Sequence, residues 1–182
     1  MERAIKTVWL IVTITAIASC AKPPPAVKAV QAPSFEGSKI GKMAVIVQSK
    51  RGTPDRLIED EFIGILIAKG YTIAARSDIK QIMKEMKFQQ SGLADKDAAQ
   101  IGKVLNVPAV IIVAITKFEK GRWGKVKYID ATMGARLISV ERTEVLWIGT
   151  CSDKFYNDDL GTSGILAYLA RNIANSFPDR TE

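Results

Sequence analysis

From Lys125 to Ser139 the chain alternates with a period of two. Ile129, Ala131, Met133, Ala135 and Leu137 fall on one side, and Tyr128, Asp130, Thr132 and Arg136 on the other. Side chains that point alternately up and down satisfy this pattern as a strand with one buried and one wet face. A strand of that length is not stable alone, so the chain must build a sheet around it. Upstream, Ala109 to Ile115 is apolar without interruption and rich in Val and Ile, which predicts a central strand covered on both faces. Downstream, Val140 to Thr143 make a turn into a further strand over Glu144 to Cys151.

The rest of the chain supplies helices to cover that sheet. Met43 to Val47 is a short apolar run that reads as a buried strand. Thr53 then offers an N-cap and Pro54 suits the first helical position, with Ile58, Phe62, Ile65 and Leu66 on one face up to Lys69 and Gly70 as the stop. Tyr71 to Ala75 predicts a second strand, after which Ser77 caps a helix whose Ile79, Ile82, Met83 and Met86 recur at helical spacing. On that helix Lys80, Lys84 and Lys87 form a basic row that reads as a solvated face. Gln90 to Leu93 breaks the helix, Asp95 caps the next, with Ala98, Ile101 and Leu105 inward, and Pro108 ends it. A last helix follows Thr162, with Ile165, Leu166, Leu169, Ile173 and Phe177 inward. The order β-α-β-α-α-β-β-β-α predicts an α/β fold, a mixed β-sheet with packed helices. At 182 residues, 47% hydrophobic and 25% charged, the chain suits one globular domain, placed at residues 40–178 with a tail at 179–182.

The start of the chain decides which partners the domain can meet. Arg3 and Lys6 precede an apolar stretch from Val8 to Ile17 that is too short for a spanning helix, so residues 1–19 read as a signal peptide. Ile17-Ala18-Ser19-Cys20 resembles a bacterial lipobox, and the resemblance implies cleavage before Cys20 and lipidation of its thiol and new amino group. Several acyl chains anchor stably where one would not. Ala21 is not the Asp that favours inner-membrane retention in enterobacterial lipoproteins, so the expected location is the outer membrane, with the domain facing the periplasm. Residues 20–39, with Pro23, Pro24, Pro25 and Pro33, show no helical or strand period and read as a tether in polyproline II. An arm packed on the domain is the alternative reading of the same residues.

The chain has no histidine, which removes Ser-His and Cys-His nucleophile systems, His-ligated zinc and an imidazole base. With Cys20 lipidated, Cys151 has no intrachain partner and reads as a buried, inert thiol. Gly161-Thr162-Ser163-Gly164 lacks the Lys of a phosphate loop and reads as a helix cap, and Asp158-Asp159 reads as a solvated loop rather than a cation site. No catalytic residue, metal site or cofactor is expected, and the chain is not expected to be an enzyme. Its net charge of +7 stands outside the cytoplasm, where nucleic acid is not an expected partner and lipid headgroups, cell-wall polymers or acidic proteins are. Lys117, Lys120, Arg122, Lys125 and Lys127 surround Phe118 and Trp123 in what should be a hairpin tip. An exposed aromatic among cations suits a headgroup contact or a protein hot spot, while a Trp folded back on the sheet would make it only a soluble loop.

Several strings resemble the CsgG family, lipoproteins of curli production, assembly and transport, and relatives such as the penicillin-binding-protein activator LpoB. They are Arg76, Ile79-Lys80-Gln81-Ile82-Met83-Lys84-Glu85, Ser91-Gly92-Leu93, Ala99-Gln100-Ile101-Gly102-Lys103-Val104-Leu105, Ala109-Val110-Ile111, Ala135-Arg136-Leu137-Ile138-Ser139-Val140 and Glu144-Val145-Leu146-Trp147, in the family's order. The resemblance covers about Lys42 to Phe177. It implies a periplasmic α/β domain with a non-enzymatic, protein-binding role in envelope assembly or secretion, open to homo-oligomerisation. A second reading is an activator of a peptidoglycan synthase, and a third a small-ligand-binding or catalytic domain. The membrane-inserting hairpins of the pore-forming members are not expected, because 49–53, 117–125 and 153–161 read as short polar loops.

Overall fold

In the computed structural model, residues 25–48, 55–86, 92–156 and 160–180 are described. Six strands form one sheet in the order β1-β6-β5-β4-β2-β3: β1 Ala26–Gln31, β2 Lys42–Gln48, β3 Thr72–Ile73, β4 Ala109–Trp123, β5 Val126–Ser139 and β6 Val145–Tyr156. β2 pairs in parallel with β3 and β4, and all other pairings are antiparallel. Four helices complete the fold: α1 Asp55–Ala68, α2 Arg76–Glu85, α3 Asp95–Val104 and α4 Gly161–Asn175. The mixed α/β architecture is the one the sequence predicts, with one more strand at the front.

The alternation in the sequence becomes a division between two cores. Met43, Val45 and Val47 of β2, Ala109, Ile111 and Val113 of β4, and the predicted row Ile129, Ala131, Met133, Ala135 and Leu137 of β5 pack under α1 and α4. Ala44, Ile46, Val110 and Ile112 face the opposite way and pack under α2 and α3. Each central strand is therefore buried on both faces where it lies between helices, as an unbroken apolar run requires. Among the described residues, the buried members of both cores lie between Phe35 and Phe177, with Val27 packed against the larger one.

An aromatic knot closes one end of the larger core. The Phe177 ring meets those of Trp147, Tyr71 and Phe35 edge-on, at centroid distances of 4.8, 5.4 and 6.0 Å. Such edge-to-face pairs contribute beyond the area they bury. Gly149 makes room for the knot: a Cβ there would lie 2.3 Å from the Trp147 indole.

Several expectations are corrected. Residues 26–39 are an arm on the domain rather than a free tether: β1 pairs with β6 from Ala26↔Ser152 to Gln31↔Trp147, and Phe35 is buried in the larger core. The ladder to β6, continued by Ala32 N–H donating to Leu146 O at 2.8 Å, stabilises an edge strand that lacks an apolar period. The tail also docks at residues 179 and 180. Lys69 Nζ lies 2.7 Å from Asp179 Oδ1, and Arg180 N–H donates to Lys69 O at 3.0 Å. The strand expected at Tyr71 to Ala75 shrinks to two residues because α2 begins at Arg76, with Ala75 rather than Ser77 at its N-cap. Arg76 therefore opens a helix, tied to α1 through Glu59 at 2.7 Å and through Asp60. Ala94, not Asp95, caps α3, where Asp97 Oδ2 accepts from Ala94 N–H at 3.2 Å. Thr53 and Pro54 lie outside the described residues, as does the Ser49 to Thr53 loop. The expected loop at 117–125 is largely strand, since β4 runs to Trp123, and the expected loop at 153–161 begins as strand, since β6 runs to Tyr156, and ends at the start of α4.

Candidate functional site

A single backbone irregularity shapes the predicted basic cluster. The β4–β5 register runs Ile115↔Met133 and then Lys117↔Thr132, leaving Thr116 as an extra residue in β4. Such a bulge shifts the alternation by one position. Lys117 and Glu119 thereby move to the side away from α1 and α4, and Phe118 turns inward opposite Ala131 against the larger core. Without the bulge Phe118 would be outside and Lys117 inside.

The five predicted cations then separate into two groups. Lys117 Nζ lies 2.8 Å from Asp130 Oδ2 and 3.4 Å from Glu119 Oε2. The hydrogen bond to Asp130 is the main cause holding its ammonium above the usual lysine range. Lys117 is thus committed to its own sheet. Lys120, Arg122, Lys125 and Lys127 are exposed and make no ion pair with other described residues. Lys120↔Ile129 and Arg122↔Lys127 are register partners, so these three cations share the side that carries the core further up the strands. With Gly121, Tyr128 and Ile129 they line a shallow depression of about 560 Å³. Gly121 matters here, because a Cβ in its place would fall 2.3 Å from the Tyr128 ring.

Trp123 is 79% exposed, so it is not folded back on the sheet. It faces Val126 across the tip, on the side opposite the cations. Tyr156, which pairs with Tyr128, and Leu160, just beyond β6, are also exposed at this end. Lys154 Nζ sits 4.7 Å from the Tyr128 ring centroid, a cation–π contact.

A second surface was not singled out in the sequence. Beyond the reach of α2 and α3, no described helix lies over one side of β1, β6 and β5. There Val30 faces Ile148 across the β1–β6 ladder, 68% and 46% exposed, beside Thr132 and Ser152, whose hydroxyls are 3.0 Å apart. Arg136 marks the border of the covered zone: its Nε donates to Asp95 Oδ1 at 2.7 Å and its Nη2 to Leu93 O at 3.3 Å. The signal for this surface was Val30, but it lies in the stretch read as a tether.

The remaining candidates hold no comparable feature. Cys151 is fully buried, and burial, with a smaller contribution from Asp153, pushes its thiol up to about 11. At the opposite end of the sheet a cleft of about 650 Å³ is lined by Ser34, Glu36, Lys39 and Arg142 among others. Two of its charges pair locally, Lys39 with Glu36 at 2.7 Å and Arg142 with Glu144 at 2.8 Å. Among the described residues no cluster of three or more acidic or thiol side chains has metal-binding geometry, and no helix is long and apolar enough to cross a membrane. Gly161 begins α4, so the Gly161 to Gly164 string is helix. Cys20, Lys87, Asp158 and Asp159 lie outside the described residues.

No protein-family model matches the chain, and no curated protein matches it in sequence. The resemblance to the CsgG family therefore rests on the quoted strings alone. Solved structures do match. The PelC dodecamer from Paraburkholderia phytofirmans is similar in fold with a TM-score of 0.53 at 15% identity, covering 87% of this chain and 99% of that one. Lipoprotein GNA1162 from Neisseria meningitidis gives a TM-score of 0.56 at 15% identity, covering 74% of this chain and 96% of that one. The C-terminal domain of LpoB from Escherichia coli reaches 0.44 at 11% identity, covering 63% and 82%, too distant to carry an argument. At such identities the likeness shows the fold alone.

Proposed function

We propose that this chain is a lipoprotein anchored in the outer membrane through Cys20, whose domain faces the periplasm and serves envelope assembly or secretion by binding another protein, without catalysis. The observation that carries this reading is the uncovered sheet side with Val30 and Ile148 exposed at its edge strand. A sheet face and edge left open in a folded domain is a surface for a further protein element. The fold it shares with a Neisseria lipoprotein and with a protein that assembles as a dodecamer supports both the anchor and a protein partner, another copy of this chain included.

The alternative of a synthase activator in the manner of LpoB requires reach across the periplasm. Cys20 is only six positions from Ala26, where β1 begins, a span of at most about 20 Å. That short spacing favours a partner at the same membrane.

The test is affinity purification of the tagged, full-length protein from native membranes beside a Val30→Asp/Ile148→Asp variant. The reading expects a protein recovered in stoichiometric amount with the wild type and absent with the variant. Equal recovery by both would move the partner surface elsewhere, and a chain that purifies alone and monomeric would remove the proposal.

A further inference from the structure

The strand register places the anchor and the basic tip at the same end of the sheet. Ala26 of β1 pairs with Ser152 of β6, which pairs with Thr132 of β5, which pairs with Lys117 of β4. β1 runs antiparallel to β6, so the chain leading back from Ala26 toward Cys20 leaves the sheet in the direction in which β6 runs to Tyr156 and the β4–β5 hairpin runs to its turn. The distances also agree. Val126 at the tip is six positions from Thr132, and Cys20 is six positions from Ala26. At about 3.3 Å per residue each path covers at most about 20 Å, so a lipid on Cys20 has the chain length to reach the level of the tip at Trp123 and Val126.

The chemistry of that end fits one kind of surface. Residues 120–127 carry Lys120, Arg122, Lys125 and Lys127 and no acid. These cations are exposed and have no ion-pair partner among the described residues. Four of the exposed large apolar or aromatic residues, Trp123, Val126, Tyr156 and Leu160, gather at the same end. Cations and an exposed indole on the two sides of one hairpin tip match a bilayer interface, where the ammonium and guanidinium groups meet phosphates and the amphipathic ring settles at headgroup level.

From this geometry we infer that the hairpin tip at residues 120–127 rests on an anionic phospholipid surface, so that the domain stands on its membrane at two points, the acyl chains of Cys20 and the basic tip, in one fixed orientation. The inference rests on the proposed lipidation for its orientation, but the tip's affinity for lipid does not depend on it. Two-point attachment turns the second contact into an intramolecular one, so a weak tip affinity suffices to hold the domain upright. The open side with Val30 and Ile148 then runs roughly along the membrane normal, available to a neighbour standing on the same bilayer.

The test has an arm for each contact. The chain beginning at Ala21 keeps every described residue and both cores, so it folds without an anchor. Its binding to phosphatidylcholine vesicles with and without phosphatidylglycerol is measured by co-sedimentation. Binding only to the anionic vesicles, weakened by salt, is expected. Each cation near such a surface is worth about fivefold in partitioning, so Lys120→Glu/Arg122→Glu/Lys127→Glu should bind at least about a hundredfold more weakly, at unchanged melting temperature. Equal binding by the two chains, or none by the unaltered one, would overturn the inference whatever the state of Cys20. The second arm uses the acylated protein in vesicles containing brominated lipid. Trp123 should be quenched and buried Trp147 not, and Trp123→Phe should abolish the quenching. Unquenched Trp123 in protein shown to carry its lipid would overturn the orientation while leaving the anchor standing.

Discussion

Val30 stands directly opposite Ile148 in the antiparallel ladder of β1 and β6, both side chains on the side of the sheet turned away from α1 and α4. Neither contributes to a core, so the pair is a surface feature that an edge strand would ordinarily replace with charge. Val30→Asp with Ile148→Asp should therefore change stability by no more than about 1 kcal/mol in urea unfolding, at about 0.5 kcal/mol per surface site. A loss of several kcal/mol would mean that the pair supports β1 rather than a partner.

Phe177 is where a single truncation should cost most. It is 1% exposed and holds three rings from β6, from the residue before β3, and from the arm. Phe177→Ala should destabilise by about 3–5 kcal/mol, since the lost contacts come from separate elements that cannot all collapse on the void. Urea unfolding monitored by the fluorescence of Trp147 checks it. Phe177→Leu, which keeps most of the volume, should recover a large part of the loss.

Cys151 gives a prediction in pH. Its folded thiol titrates at about 11 against an ordinary 9.0, raised chiefly by burial. A raised folded value means the neutral thiol is favoured in the fold, so its contribution is complete below pH 9 and declines as the pH rises through 11. Native protein at pH 8 should react with a disulfide reagent far more slowly than denatured protein, because the thiolate is the nucleophile. Fast, stoichiometric labelling of the native chain would show that β6 opens readily.

The purified protein should form no channel. The β4–β5 hairpin is long enough to span a bilayer, but beyond the bulge Lys117 and Glu119 lie on one side and Lys120, Arg122 and Lys127 on the other. A membrane strand needs one face apolar over its whole depth. Planar-bilayer recording should show no unit conductance, and reproducible steps absent from a Cys20→Ser control would contradict the assignment of this hairpin to the surface.

How far the sequence could be read depended on what held each element in place. β5 was legible residue by residue because burial of one face fixes its alternation, and residues 109–115 because both faces are covered. The distal half of β4 was not, since Thr116 interrupts the period and Lys117 to Trp123 is too polar to betray a strand. β1 was hidden for another reason: only Val27 of its six residues packs on the core, so its strand state comes from hydrogen bonds to β6. Ser77 and Asp95 were plausible caps on local grounds, displaced because the cap of α2 falls two residues earlier, at Ala75, and that of α3 one residue earlier, at Ala94. The basic cluster was legible as a set of residues, whereas the commitment of Lys117 to Asp130 required the register.

The whole account turns on Cys20, and the most direct measurement is the intact mass of the protein extracted from native membranes with detergent. The account predicts a chain that begins at Cys20 and carries a diacylglyceryl group on its thiol and a further acyl chain on its amino group, with the added mass lost in Cys20→Ser. A membrane-extracted chain with an unmodified Cys20, or one cleaved elsewhere, would contradict it.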